Sequence, residues 1–216
     1  MPVSYVDGES GTLTVSGGAA LTTTDLTVTG GGSADAAVLV SGSASSLSVT
    51  DTAIIGSVSA GTLTVANGAT LTAPGVEVDN GSMFNVGNGG AAPVLDSSLA
   101  TISSSDGAII GSKVVGNFTG SFTLAAQLTG KLGLEAKAGN LTINNSGSNY
   151  TGATTIDSGA TLTVGDATHN GTLSTSSVTD NGTLIFNNGL AAQTLTNIIN
   201  GSGALKQNGV GAITIT

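Results

Sequence analysis

The sequence predicts an all-β protein: a right-handed parallel β-helix (β-solenoid) with a single stack of about 8–9 coils. Three observations predict it: a long internal repeat, a regular alternation of apolar and polar residues, and a shortage of aromatic side chains. Self-similarity over a long, fixed period is typical of stacked repeat architectures. We therefore expect residues 1–216 to form one β-solenoid domain.

The internal repeat joins two segments that lie about fifty positions apart. Residues 11–22 align without gaps on residues 61–72, and both segments begin Gly-Thr-Leu-Thr-Val. If the repeat contains two coils, each coil takes about 25 residues, which gives the expected number of coils for a chain of 216 residues.

Apolar residues alternate with polar ones in short runs along the chain. Each run places two apolar side chains on one face of a strand, and Asn-Gly or Gly-Gly pairs between runs indicate turns. Residues 128–138 come closest to a helical period, but their two Gly and the spacing of Leu132 and Leu134 favour a strand. The predicted inward pairs are Leu13/Val15, Leu26/Val28, Val38/Val40, Leu47/Val49, Leu63/Val65, Val76/Val78, Leu141/Ile143, Leu162/Val164, Leu184/Phe186 and Ile213/Ile215.

A sandwich or an up-and-down barrel would also show short strands at such intervals. The solenoid is favoured because the repeat is longer than a hairpin and because only 3% of the residues are aromatic. In a solenoid each aliphatic row packs against the coils above and below, so small side chains suffice. Residues 87–127 are less regular, and we interpret them as an insertion or a change of coil shape within the same stack.

Composition and charge exclude several classes of partner and site. The chain has no Cys, and therefore no disulfide, thiolate metal ligand or Cys nucleophile. Its 4 basic residues are all Lys, its acidic residues number 13, and its net charge is −9. Nucleic acids and anionic membrane surfaces attract basic proteins, and this chain is acidic. No stretch of the sequence approaches the ~20 apolar residues that a membrane-spanning helix requires. We expect neither nucleic-acid binding nor direct membrane insertion.

The sequence predicts no catalytic, cofactor or metal site, and we expect no enzyme activity. His169 is the only histidine and lies in a turn-like segment, so no second imidazole can complete a metal site. Glu77 and Asp79 are expected to face solvent on one strand. Polysaccharide-active enzymes with this fold use clustered acids and a basic residue, a pattern that the chain does not show.

Residues 139–164 carry a motif of spaced Gly, Leu, Asn, Tyr and Thr. It consists of Gly139-Asn-Leu-Thr-Ile143, Asn149-Tyr-Thr-Gly-Ala-Thr-Thr-Ile156 and Gly159-Ala-Thr-Leu162. This motif resembles the autotransporter passenger-associated β-strand repeat, and a second, less regular copy begins at Gly203, so that residues 139–216 are the region most similar to it. The resemblance implies an extracellular protein, or one on the bacterial outer-membrane surface, in which the repeat supports passenger folding and secretion without supplying catalytic residues.

The ends of the sequence suggest a fragment of a longer passenger. Residues 1–9 lack the basic and apolar regions of a signal peptide, and the chain stops within an alternating pattern at Thr216. We expect the rest of the passenger to lie outside residues 1–216.

Outward-facing threonines are the most distinctive surface feature that the alternation predicts. They are the candidate partner-binding residues, for adhesion to a protein or cell-surface partner or for self-association. Alternatives remain: Thr simply suits a strand face, or the chain belongs to a receptor-binding toxin or effector passenger, with ice binding and polysaccharide chemistry less favoured. The candidates are Thr12, Thr14, Thr22, Thr27, Thr62, Thr64, Thr70, Thr72, Thr161 and Thr163.

Overall fold

Each coil of the chain contributes strands that pair with the equivalent strands of the coils above and below. The computed structural model describes residues 10–31, 35–106, 111–189, 192–196 and 198–216. These residues form a parallel β-solenoid of about eight turns, as the sequence predicted. All named strand pairs in them are parallel, which excludes the antiparallel sandwich and barrel alternatives.

The largest sheet, sheet 1, runs along the whole stack. Its path divides at β15, because the two halves of that long strand pair with different strands of the next coil. The strands are β1 (Gly11–Val15), β4 (Ala36–Ser41), β7 (Gly61–Ala66), β10 (Met83–Val86), β13 (Lys113–Leu124) and β15 (Gly133–Ile143), followed by the branches β16 (Thr154–Ile156), β18 (Val178–Asp180), β21 (Ile199–Asn200) and β17 (Thr161–Val164), β19 (Thr183–Phe186), β22 (Ala204–Gln207).

Two further sheets complete the sides of the first coils, and a small pair of strands lies near the C-terminus. Sheet 2 contains β2 (Ala20–Thr23), β5 (Ser46–Val49), β8 (Thr70–Thr72) and β11 (Val94–Leu95). Sheet 3 contains β3 (Leu26–Val28), β6 (Ala53–Ile55), β9 (Gly75–Val78), β12 (Thr101–Ser104) and β14 (Gln127–Gly130). The remaining pair is β20 (Gln193–Leu195) with β23 (Ile213–Ile215).

The register between coils confirms the predicted coil length in the first part of the chain. Gly11 pairs with Ala36, and Ala36 pairs with Gly61, so each of these two coils has 25 residues. The segment 128–138 contains the end of β14 and the start of β15, joined by a turn at Lys131 and Leu132, so it is strand and not helix, as predicted. No helix in the described part of the chain is long and apolar enough to cross a membrane.

The core is a set of apolar columns that run from coil to coil. One column on sheet 1 places Val38, Leu63 and Phe84 directly above one another, each with no more than 3% exposure. Burial of each such side chain contributes about 1.5–3 kcal/mol. All of the predicted inward pairs lie in strands. Ile215 is the clearest exception to their burial, since 53% of it is exposed.

Buried serines join successive coils at their corners. In each case the Ser hydroxyl oxygen accepts a hydrogen bond from a backbone N–H of the preceding coil, so that a polar group inside the stack is satisfied. The pairs are Gly18 N to Ser45 Oγ (3.1 Å), Gly61 N to Ser82 Oγ (2.9 Å), Gly81 N to Ser112 Oγ (3.0 Å) and Leu128 N to Ser148 Oγ (3.1 Å).

The coil shape changes within residues 87–127. Three strands per coil give way to the long strands β13 and β15, and Ala91, which follows β10, forms a parallel bridge with Thr119 of β13. Phe118 of β13 is buried, and its ring lies beside Gly116 of the same strand, where a side chain would come within 3.3 Å of it. One stack therefore accommodates the irregular segment, with a different cross-section on either side.

Candidate interaction surface

The ten candidate threonines divide among the three sheets and do not form one face. Thr12, Thr14, Thr62 and Thr64 lie on sheet 1, and Thr161 and Thr163 lie on its later branch. Sheet 2 carries Thr22, Thr70 and Thr72, and sheet 3 carries Thr27. The alternation in the sequence assigns each residue to one face of its strand, whereas the register decides which residues become neighbours across coils.

On sheet 1 the threonines of alternate coils are separated by apolar residues. Ala37 lies between Thr12 and Thr62, and Leu39 lies between Thr14 and Thr64. On the following coil, the Asn85 side-chain amide donates a hydrogen bond to Thr64 Oγ1 at 3.1 Å. Sheet 1 therefore has no continuous column of hydroxyls over these coils.

The later branch of sheet 1 covers one of its two candidate threonines. Thr163 is only 8% exposed, and its hydroxyl donates to Asn140 Oδ1 at 3.0 Å. Thr161 is half-buried beside Thr183. Thr163 thus holds two coils together and offers little surface to a partner.

Sheet 2 carries a continuous set of outward hydroxyls over three successive coils. Thr22 pairs with Ser48, which pairs with Thr72, and Ser46 pairs with Thr70 beside them. We call Thr22, Ser46, Ser48, Thr70 and Thr72 the hydroxyl face. Ser46 and Ser48 were missed as candidates, although the predicted inward pair Leu47/Val49 already implied that they point outward.

On sheet 3 the candidate Thr27 has neighbours of a different kind. Ile54 and Glu77 follow it on the next two coils, and Ser103 follows Glu77. This column mixes an apolar residue, a carboxylate and hydroxyls, so Thr27 stands apart from the hydroxyl face.

A cleft with a volume of about 610 Å³ lies near the C-terminal coils. Its lining is uncharged and consists mainly of hydroxyl and amide side chains, among them Thr172, Asn188 and Gln193. The Gln193 amide donates to the Leu173 carbonyl at 3.0 Å, while its buried Oε1 has no partner among the described residues. The cleft is thus lined by uncharged polar side chains, one of which is fixed to a neighbouring coil.

Asp79, one of the acidic residues considered in the sequence, is held by hydrogen bonds from a neighbouring coil. The carboxylate of Asp79 accepts hydrogen bonds from the hydroxyls of Ser104 and Ser105 and from the Ser105 backbone N–H. Within the described ranges, no three His, Cys, Asp or Glu side chains lie close enough together to hold a metal ion. Asp79 serves to join two coils at a corner.

His169 lies in an exposed turn that Asp166 organises. The Asp166 carboxylate accepts hydrogen bonds from the backbone N–H groups of Thr168 and His169, at 3.0 and 2.6 Å, and from the Asn144 amide at 2.9 Å. Partial burial raises the pKa of Asp166, but the hydrogen bonds from Asn144, His169 and Thr168 outweigh it and hold the pKa well below its ordinary value. Asp166 thereby stays ionised and fixes the turn.

We expect this turn to make the stability of the solenoid depend on pH. A carboxyl group with a depressed pKa in the folded state stabilises the fold above its unfolded pKa of 3.8, and this contribution is lost as the pH falls through the folded pKa. Thermal unfolding is monitored by circular dichroism at about pH 6 and about pH 2. On acidification the melting temperature of the Asp166→Asn variant should fall less than that of the parent protein, because the variant has no carboxylate at position 166 to protonate. Identical pH profiles for the two proteins would contradict the assignment.

Comparison with known protein families, with curated proteins and with solved structures finds no match to this chain.

Proposed function

We propose that this chain is the structural rod of a bacterial surface or secreted autotransporter passenger and that it acts in adhesion or self-association through the hydroxyl face. The motif in residues 139–164 supports the passenger assignment. The hydroxyl face supports the adhesive role, because its hydroxyls follow one another over three coils and none of its five residues is buried.

The charge distribution favours this face for contact between two copies. The chain carries a net charge of −9, so copies repel one another at long range. The strands β2, β5 and β8 contain no charged residue. Two copies that meet through this face therefore place no like charges opposite each other, and their hydroxyls can both donate and accept.

The strength of such a contact depends on the number of coils that take part. A hydrogen bond contributes about 0.5–1.5 kcal/mol net, so the hydroxyls of three coils give weak association by themselves. Many molecules displayed on one cell engage simultaneously, which raises the overall avidity without any new contact. We therefore expect the effect to be seen as clumping of displaying cells and not as a stable dimer in dilute solution.

The test replaces three members of the hydroxyl face, Thr22, Thr70 and Thr72, with Lys in the protein displayed on bacterial cells. Lysines facing lysines across a symmetric contact repel each other, so clumping measured by sedimentation should be abolished. The substituted positions point outward, and the far-UV circular dichroism of the purified variant should be unchanged.

A matched control places the same charge on sheet 1. The triple substitution of Thr12, Thr62 and Thr64 with Lys adds three positive charges to outward positions that do not form a continuous hydroxyl column. This variant should clump like the parent. Undiminished clumping of the hydroxyl-face variant would sink the proposal, and equal loss in both variants would show that net charge alone controls clumping.

A further inference from the structure

We infer that a groove on sheet 1 binds a carboxylated sugar residue, such as a hexuronate unit of an acidic polysaccharide. This groove has a volume of about 250 Å³ and lies over the coils that contain β10, β13 and β15. The residues that matter for the argument are Met83, Asn88, Lys113, Val115, Asn117 and Lys137, all of which line it. It is separate from the hydroxyl face, which lies on sheet 2.

Positive charge is concentrated at this groove in an otherwise acidic protein. The whole chain has 4 basic residues, and two of them, Lys113 and Lys137, line the groove. Lys113 forms an ion pair with Glu135, whose side chain is 15% exposed. Lys137 is exposed and has no ion-pair partner among the described residues. Two lysines and one glutamate leave one net positive charge, which suits a monoanion.

A β-bulge places Lys137 at the groove. Gly116 of β13 pairs with Ala136 of β15, but the next residue, Asn117, pairs with Ala138, so Lys137 is the extra residue in β15. Bulges reorient side chains locally and often lie beside functional sites. The bulge and the free ammonium group are independent observations that indicate the same position.

The polar wall of the groove offers hydrogen-bonding groups that the fold does not use. The side-chain amides of Asn88 and Asn117 make no hydrogen bond to any described residue. Asn88 is nevertheless held in place, because the backbone around it is fixed to β13: Gly89 N donates to the Asn117 carbonyl at 2.7 Å, and Thr119 N donates to the Gly90 carbonyl at 2.7 Å. Two amides, each both donor and acceptor, match the hydroxyl groups of a sugar ring.

The floor and the size of the groove favour a sugar over a more highly charged ligand. Met83, which is 36% exposed, gives an apolar surface for the C–H face of a ring, and the volume accommodates a single ring. A phosphate ester carries a charge of about −1.5 to −2 at pH 7, which the one net positive charge of the groove does not balance. A carboxylate pairs with Lys137 alone, and the ring hydroxyls then lie within reach of Asn88 and Asn117.

The test uses two ligands that differ only in the acid group: methyl β-D-glucuronide and methyl β-D-glucoside. Binding to the intact chain is measured by NMR titration. The glucuronide should bind at least about tenfold more tightly than the glucoside, and added salt should reduce the difference because the contact is ionic. No binding of the glucuronide, or equal binding of the two glycosides, would overturn the inference.

The site is located with the variant Lys137→Gln and the matched control Lys206→Gln, which alters an exposed lysine on β22. Lys137→Gln should weaken glucuronide binding about tenfold, while Lys206→Gln leaves it unchanged. Asn117→Ala, a second variant, should weaken binding of both glycosides. Equal glucuronide binding by the parent and Lys137→Gln would refute the site. If a hexaglutamate peptide bound more tightly than the glucuronide, with the same dependence on Lys137, the ligand would be an acidic peptide and the sugar assignment would be overturned.

Discussion

Replacement of Tyr150 with Ala is expected to destabilise the solenoid by about 3–5 kcal/mol, a large fraction of the stability of an ordinary domain. Tyr150 is fully buried in the core cluster. Its hydroxyl and Thr154 Oγ1 are 3.0 Å apart and form a hydrogen bond inside the stack. Burial raises the pKa of the Tyr150 hydroxyl well above its ordinary value, while the bond to Thr154 acts weakly in the opposite direction.

Thr154 explains why a tyrosine is needed at position 150. Thr154 pairs with Leu134 on one side and with Val178 on the other, so its hydroxyl lies in an apolar column at 0% exposure. Tyr150→Phe leaves this hydroxyl without the partner and should cost about 1–3 kcal/mol. The double variant Tyr150→Phe/Thr154→Val removes both polar groups and should recover most of that loss.

Urea unfolding followed by circular dichroism measures these differences, with hydrogen exchange to locate the affected coils. A solenoid is stabilised by contacts between neighbouring coils, so exchange should increase first in the strands β15 to β18. Additive losses for Tyr150→Phe and Thr154→Val in the double variant would contradict the proposed pairing.

Gly139→Ala is expected to be the second severe substitution, with Gly159→Ala as its matched control. Both glycines have positive φ, +79° and +82°, and both belong to the motif of residues 139–164. A side chain at Gly159 would meet nothing within 4 Å, whereas a Cβ at Gly139 would lie 2.5 Å from the Phe118 carbonyl oxygen. The two variants therefore share the backbone strain and differ in the steric clash.

The strain alone should cost about 1–2 kcal/mol, which is the expected loss for Gly159→Ala. Gly139→Ala should lose clearly more, because its Cβ would also lie 2.9 Å from the Gly120 carbonyl oxygen and 2.9 Å from the ring of Phe118, which is buried. Both losses can be read from urea midpoints in parallel experiments. Equal midpoints for the two variants would show that the close approach at Gly139 does not matter.

The sequence alone determined the architecture, because the alternation of residues and the long repeat are local properties that persist in every coil. The inward pairs, the absence of a helix at 128–138 and the coil length between Gly11 and Gly61 all follow from them. The buried hydroxyl of Thr154 could not be predicted in this way, since its position next to Tyr150 depends on how the chain turns between two strands.

Only the tertiary structure decided which outward residues become neighbours. Because the coils differ in length, the pairing cannot be read from the repeat alone. On sheet 1 the residue paired with Thr62 on the next coil is the apolar Met83, whereas on sheet 2 Ser48 lies between Thr22 and Thr72 and continues the hydroxyls. Lys137 reaches its groove through a bulge that is defined only by the pairing of β13 with β15. Alternation fixes whether a side chain points in or out, but the stacking of unequal coils fixes the surface that the side chains build, because register is a relation between distant residues.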